Sequence, residues 1–439
     1  MKQPRFFFLI VAMFVGFCCN AWTQTTALQP FSGQLKLTLY DAEQLALKNN
    51  PQISVSKLLA LAQHQVLREV RSGELPVATG NLTAVDAHEG TRITAGVLNN
   101  PSVFERAGAG VTIGQLITDF GRTRNLVASA NLRENAQQQS ALATAADVTF
   151  AVDQAFYAAL SAQAELTVAQ QTVETRQTTA DQVQALAQAK LRSDLDLSFA
   201  NVNLAQAKLL LLEAQNRKDA AFTSLNQVLG FEKQADYLLV DETGPTLSQP
   251  STGQEDLVQL ALRSRPDLAA LDDQFRSEKR FARAEHDLNR PTISALGAVG
   301  GTPVRADQIT TSWYGAVGVN MSIPVFNGFL FSARAHEADY RASALQEQVR
   351  DLRDRIARDV RVTWLRANTA YQKVSVTAQL LQQANLALEL AQTRYKLGLG
   401  SIVELSHAQL QQTDAQIGNS TARYEYLSTL SSLRYQTGQ

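Results

Sequence analysis

The sequence predicts a mainly α protein with a membrane β-barrel portion, assembled from two structural repeats. Three observations predict it. The stretch from Arg122 to Leu229 contains no glycine and no proline, and neither does the stretch from Phe329 to Leu397. Three short motifs also occur twice, in the same order and at nearly the same spacing. Glycine and proline oppose helix by roughly 1 and 3 kcal/mol relative to alanine, so such stretches read as unbroken helices. At ~1.5 Å rise per residue, the second would reach about 100 Å. Helices of that length suit coiled coils, membrane bundles and long tubes, not globular domains. In the first stretch Ala155, Ala158, Ala162, Leu166, Ala169 and Val173 recur at three- and four-residue steps. That spacing makes a small apolar seam for close helix packing.

The repeat rests on three matched pairs. Gln44-Leu45-Ala46-Leu47-Lys48 before Pro51 corresponds to Gln259-Leu260-Ala261-Leu262-Arg263 before Pro266. Gly110-Val111 ahead of Asp119-Phe120-Gly121 corresponds to Gly318-Val319 ahead of Asn327-Gly328. Ser193-Asp194-Leu195-Asp196-Leu197 corresponds to Ser401-Ile402-Val403-Glu404-Leu405. The units are expected at residues 22–230 and 254–439. The intervening 231–253, with Gly244, Pro245 and Pro250, reads as a linker.

In chain order, the first element is a leader. Lys2 and Arg5 precede the apolar run Phe6 to Phe17, which is too short to span a bilayer as a helix. Residues 1–21 therefore read as a secretory signal peptide, with the mature chain starting near Trp22. A lipobox requires a small residue just before the lipidated cysteine, whereas Phe17 precedes Cys18 and stands two places before Cys19, so no lipid is expected. Cleavage after Ala21 removes both cysteines and leaves no disulfide. The formal net charge of -1 gives no basic excess for nucleic acid.

A short helix follows from about Ala42, with Asp41 as its N-cap. Pro51 breaks it, and a second helix runs to about Arg71. After Pro76 the apolar period changes. Ala109, Val111 and Ile113 alternate with Gly110, Thr112 and Gly114, which is strand period. In the second unit Trp313, Val317, Val319, Met321 and Ile323 share one face. Tyr314, Ala316, Gly318, Asn320 and Ser322 share the other, and Thr292 to Gly300 forms the partner strand. Asn99-Asn100-Pro101 and Gly300-Gly301-Thr302-Pro303 read as hairpin turns. Each long helix comes next, then a break, then a returning helix. Gly398-Leu399-Gly400 marks the second break; the first is inferred at Leu191 to Ser193.

Four strands of about ten residues cannot close a barrel, and lipid tolerates no open edge. Eight strands is the smallest usual barrel, so at least two chains are needed, and three would give twelve strands. A small soluble sheet packed on a helix remains the alternative on pattern alone. If the barrel holds, Trp313, Val317, Val319 and Ile323 face lipid, while Asn320 and Ser322 face the lumen.

The ordered set resembles the TolC family of outer membrane efflux proteins across the whole mature chain. Tyr395-Lys396-Leu397-Gly398 through Glu404-Leu405 and Ile323-Pro324-Val325-Phe326-Asn327-Gly328 carry the resemblance. It implies a homotrimer, with a twelve-stranded β-barrel in outer-membrane lipid above a twelve-helix α-barrel reaching into the periplasm. It implies docking to a periplasmic adaptor and to an inner-membrane transporter or ABC-type exporter, in efflux or type I secretion. It places Leu191, Ser193, Gly398, Gly400 and Ser401 at adaptor-facing tip turns. It makes Asp194, Asp196, Tyr395, Glu404 and His407 the gate, with Tyr395 held by Asp196 and Glu404 in an acidic ring. Two positions depart from the family. Gly400 stands in place of an arginine clamp, and His407 stands in place of a second acid.

The same turns have a purely local explanation. Ser193-x-x-Asp196 and Ser401-x-x-Glu404 both fit the capping box that satisfies donors at a helix start. Elsewhere no catalytic pattern is found. The sequence has no phosphate-cradling loop ending in Lys-Ser or Lys-Thr and no Gly-x-Ser-x-Gly elbow. His64, His88, His286, His336 and His407 have no metal-ligand spacing. The reading is therefore a passive export duct that is not an enzyme and uses no cofactor or metal. The competing reading is a non-channel coiled-coil tether or adaptor spanning the periplasm.

Overall fold

Both repeats fold in one order, and their long helices match in length. The computed structural model describes residues 35–86, 106–231, 237–241, 247, 249, 253–304 and 311–439. The leader with Cys18 and Cys19, His88, the Asn99-Asn100-Pro101 turn, and Gly244, Pro245 and Pro250 lie outside the described residues. The first repeat runs β1 (Leu35–Leu37), α1 (Leu39–Asn49), α2 (Pro51–Arg71), β2 (Val77–Val85), β3 (Arg106–Thr118), α3 (Arg122–Gln188) and α4 (Asp194–Leu229). The second runs β4 (Tyr237–Leu239), α5 (Gln254–Ser264), α6 (Pro266–His286), β5 (Thr292–Val304), β6 (Trp313–Ser322), α7 (Leu330–Lys396) and α8 (Ile402–Thr437). α3 and α7 each have 67 residues, and α4 and α8 each have 36. The first breaker-free stretch thus becomes a helical hairpin, α3 and α4, and the second becomes α7, which pairs with α8 beyond the Gly398-Leu399-Gly400 break.

The first helix starts earlier than its composition suggested. Thr38, not Asp41, is the N-cap, and Asp41 is the third residue inward. The Asp41 amide donates to Thr38 Oγ1 at 3.2 Å, and that hydroxyl donates back to Asp41 Oδ2 at 2.8 Å. Asp41 therefore closes the first turn without opening it. Between α1 and α2, Asn50 accepts from the Gln52 amide, and Pro51 takes the first helical position, where a missing N–H costs nothing. Asn50 Nδ2 also donates to the Val228 carbonyl at 2.9 Å, fixing this corner to the end of α4.

The main core gathers there. Leu37, Ala46, Val152, Phe156, Leu225, Leu229 and Leu239 bury together where α1, α3, α4 and the parallel β1–β4 pair meet. This core turns the upper part of α3. Ala158 is exposed and Ala155 only half-buried, whereas Val152, Phe156, Ala159 and Leu160 point inward. The alanine seam holds from Ala162 through Leu166 and Ala169. Above it, large apolar side chains bury more area than alanine and set the facing.

The four long strands form one antiparallel sheet in the order β2-β3-β5-β6. Directly paired residues share a face, so the register sorts all four strands. Val319 pairs with Ala295, Val317 with Gly297 and Met321 with Ile293. Gly297 pairs in turn with Ile113, and Ile113 with Ala78. One face therefore carries Leu82, Val111, Ile113, Val299, Trp313, Val317, Val319 and Met321. The other carries Thr79, Asn81, Thr83, Thr112, Ser294, Asn320 and Ser322. A hollow lies on this second face, lined by Thr79, Thr112, Leu296, Ala298 and Ala316 among others. Ile323 falls one residue beyond β6, followed by the Pro324 segment into α7, so strand alternation does not fix its facing.

Candidate functional site

The two tip turns close alike at the level of the backbone. At the end of α3, Leu191 N–H donates to the Leu186 carbonyl and Lys190 N–H to the Ala187 carbonyl, both at 2.9 Å. At the end of α7, Leu399 N–H donates to the Arg394 carbonyl at 2.8 Å and Gly398 N–H to the Tyr395 carbonyl at 3.1 Å. Both are Schellman closures, which need a left-handed residue just past the helix. Gly398 takes that position at φ 74, and Lys190 takes it at φ 59. The first break lacks a glycine because a lysine adopts the strained conformation instead.

The following caps differ. Ser193 and Asp196 make a complete capping box: the Asp196 amide donates to Ser193 Oγ, and the Ser193 amide donates to Asp196 Oδ2, each at 3.2 Å. The Ser193 hydroxyl donates to the same carboxylate at 3.0 Å. In the second turn only half forms. The Glu404 amide donates to Ser401 Oγ at 3.1 Å, but the Glu404 carboxylate turns away and accepts from Arg394 Nε at 3.0 Å. Gly400 sits inside this clamp. A Cβ there would lie 3.2 Å from Glu404 Oε2 and 3.3 Å from Arg394 Cβ. A side chain at position 400 would press on this pair, and Arg394 already supplies the cation.

Tyr395 does not reach Asp196. Its ring is 8% exposed, packed with Ala180, Val183, Ala200, Leu204, Ile402 and Leu405. Its hydroxyl is buried with no hydrogen-bond partner among the described residues, and burial raises its pKa. Arg192 opposes that shift and the nearby Asp196 adds to it. What joins the two turns is Arg192. Its guanidinium lies 4.4 Å from the Tyr395 ring centroid, and Nη2 donates to the Tyr395 carbonyl at 3.0 Å. Arg192 was not among the gate residues that the family resemblance implied. A basic residue beside a helix C-terminus was the available signal, since the last carbonyls seek such donors. Asn203 Nδ2 adds a second tie, donating to Ser406 Oγ at 2.6 Å.

The remaining gate residues do not converge. The Asp194 side chain is exposed, and His407 is exposed with Nε2 3.0 Å from Gln411 Nε2, one turn along α8. Leu191, Leu195, Leu397 and Leu399 crown the tips and are exposed. Among the described residues no cluster of histidine, cysteine or carboxylate side chains could hold a metal.

The architecture is a known one. The family described as outer membrane efflux protein matches residues 42–231 and 257–439. The chain belongs to the outer membrane efflux protein family. Outer membrane protein OprJ of Pseudomonas aeruginosa is 24% identical over 446 residues, covering 93% of this chain and 90% of OprJ. Outer membrane protein TolC of Salmonella enteritidis is 24% identical over 165 residues, covering 36% of this chain and 34% of TolC. Among solved structures, the outer-membrane channel OprN superposes with a TM-score of 0.80 at 20% identity, over 91% of this chain and 89% of OprN. The outer membrane protein VceC of Vibrio cholerae superposes with a TM-score of 0.79 at 17% identity, over 91% of this chain and 96% of VceC. Membership places this efflux protein in the outer membrane, as an exit duct reaching into the periplasm, and bears out the sequence resemblance.

Proposed function

We propose that the chain is one subunit of a homotrimeric, passive exit duct, with a twelve-stranded barrel set on a twelve-helix tunnel. One observation carries this reading. The contact between the two repeats is a ready template for a contact between copies. α6 packs against both α7 of its own repeat and α3 of the other. Its counterpart α2 packs against α3 but has no comparable contact with α7. The bare flank of α2 exposes Val55, Leu58, Leu59 and Leu61. The sheet is missing the same pairing. β3 pairs with β5 between repeats, whereas β6 and β2 are left as edges. Repeating the in-chain contact brings α7 and β6 of one copy onto α2 and β2 of the next, and open edges are not tolerated in lipid.

The apolar face of the sheet then meets lipid, with Trp313, Val317 and Val319 on it. The polar face lines the lumen. The tip turns carry the gate: Arg192 clamps Tyr395, Arg394 holds Glu404, and Asp194 and Asp196 add acid around the opening. The exposed leucines of the tips are the docking surface for a periplasmic adaptor, which couples the duct to an inner-membrane transporter or ABC-type exporter. The duct carries out no reaction, and its energy comes from that partner.

Cross-linking tests the closure. Aligning Pro76 with Pro291 and Val111 with Val319 makes Thr83 the counterpart of Ala298, and Asn320 the counterpart of Thr112. Thr112 pairs with Ala298 inside the chain. Asn320 should therefore pair with Thr83 of the next copy. Paired strand positions lie about 4.5–5.5 Å apart, within disulfide reach. Asn320→Cys combined with Thr83→Cys should give oxidised trimers that survive boiling in SDS without reductant, whereas either change alone should give monomers after boiling. Only monomers in the double variant would favour the coiled-coil tether.

A further inference from the structure

Arg176 is a buried cation that the duct reading does not use. It lies in α3, about 18 Å from the end of that helix at ~1.5 Å per residue. It is 6% exposed. Its guanidinium donates to Gln409 Oε1 of α8, and Gln409 Nε2 donates onward to Thr179 Oγ1 at 3.3 Å. Arg176 forms no ion pair among the described residues, and burial is the one influence on its titration, acting to lower it. A guanidinium nevertheless keeps its proton in proteins. The seam therefore holds a fixed positive charge with no opposite charge beside it. Such a charge is costly to bury unless something compensates it.

A cavity adjoins this charge. It is about half open to solvent, holds about 110 Å³ and lies between α3, α7 and α8. Thr172, Thr175, Gln412 and Gln416 line it beside Arg176, and Leu388 is the sole apolar lining residue. None of the lining residues is acidic. Room for one water needs only about 10–15 Å³ of such space, so an ion with a few waters fits. Packing does not demand the arginine. The matching position of the second repeat is Ala384, which is also buried, so an equivalent helix position closes without a charge.

We propose that this cavity is a small-anion site, holding chloride or a similar monovalent ion against Arg176 and pinning α3 to α8. The small volume and neutral amide lining favour a compact ion over a carboxylate-bearing cargo.

Crystals of the full-length protein grown with bromide in place of chloride test the site directly. An anomalous peak within hydrogen-bond distance of the Arg176 guanidinium is expected. In detergent, the melting temperature should rise with chloride at constant ionic strength, gluconate making up the balance. Gln409→Glu supplies an internal carboxylate; it should keep the fold, abolish the bromide peak and remove the chloride dependence. Arg176→Met should also abolish the peak. Absence of a bromide peak at Arg176 in the unaltered protein overturns the proposal, as does a carboxylate of a neighbouring copy filling the cavity. A chloride dependence that survives in Gln409→Glu overturns it as well.

Discussion

Arginine placed on alternate residues of β6 should separate the two faces of the sheet. Val319 and Asn320 are neighbours in the second half of a strand that runs from Trp313 to Ser322. Val319 pairs with Ala295 on the apolar face, and Asn320 pairs with Ser294 on the polar face. Val319 is 69% exposed in the single chain, so no packed core absorbs the change. On the lipid face near the midplane, arginine costs ~2–4 kcal/mol. At ~1.4 kcal/mol per tenfold, the full midplane cost lowers membrane insertion about 30- to 700-fold per subunit, and less toward the interface. In the proposed trimer the penalty applies to every copy. Asn320→Arg places the same charge in an aqueous lumen and should cost little. Outer-membrane fractions run unheated on SDS gels report the outcome. Val319→Arg should lose the trimer band and Asn320→Arg should keep it. Equal loss, or equal survival, would refute the assignment of faces.

Two further outcomes follow from groups outside the barrel. Burial raises the pKa of Glu43 from 4.5 to about 7, and the charge of Asp153 and a hydrogen bond with it act in the same direction, while Arg434 opposes them. Asp153 is also raised by burial, and it accepts a hydrogen bond from the Ser431 hydroxyl. A carboxyl raised on folding contributes stability that is full below its unfolded value and lost as pH rises through the folded one. The melting temperature should therefore fall between pH 5 and pH 8, and Glu43→Gln should flatten that slope. At the tips, Tyr395→Phe should change little, because its hydroxyl has no partner among the described residues. Arg192→Ala removes a hydrogen bond worth ~1 kcal/mol and a ring contact worth ~0.5–1 kcal/mol, so single-channel conductance in planar bilayers should rise. Glu404→Ala should lower cation selectivity in the same recordings; unchanged values for both variants would refute the gate reading of the tips.

The sequence by itself determined what depends on neighbours along the chain. Breaker-free runs fixed α3 and α7, because helix propensity sums over residues in succession. Pro51 and Pro266 fixed the starts of α2 and α6, and alternation marked β3 and β6. The repeat fixed the order of everything else, and the family followed from that order. Thr38 displaced Asp41 as cap through a local Thr-x-x-Asp exchange, which was legible in the sequence. Tertiary structure decided which residues meet when they are far apart in the chain. Ala158 turned outward because Phe156 and Leu160 had more area to bury in the core beside β4. Tyr395 met Arg192 in place of Asp196, which the Ser193 box had already engaged. Gly400 proved to lie beneath an ion pair, since Arg394 and Glu404 close over it. Arg176 reads in the sequence as one more polar residue on a long helix. Only the packing of α3 against α8 buries it and leaves its charge without an acid. Period and propensity are properties of a segment, but a partner is chosen by the packing of separate segments, and no local pattern encodes that choice.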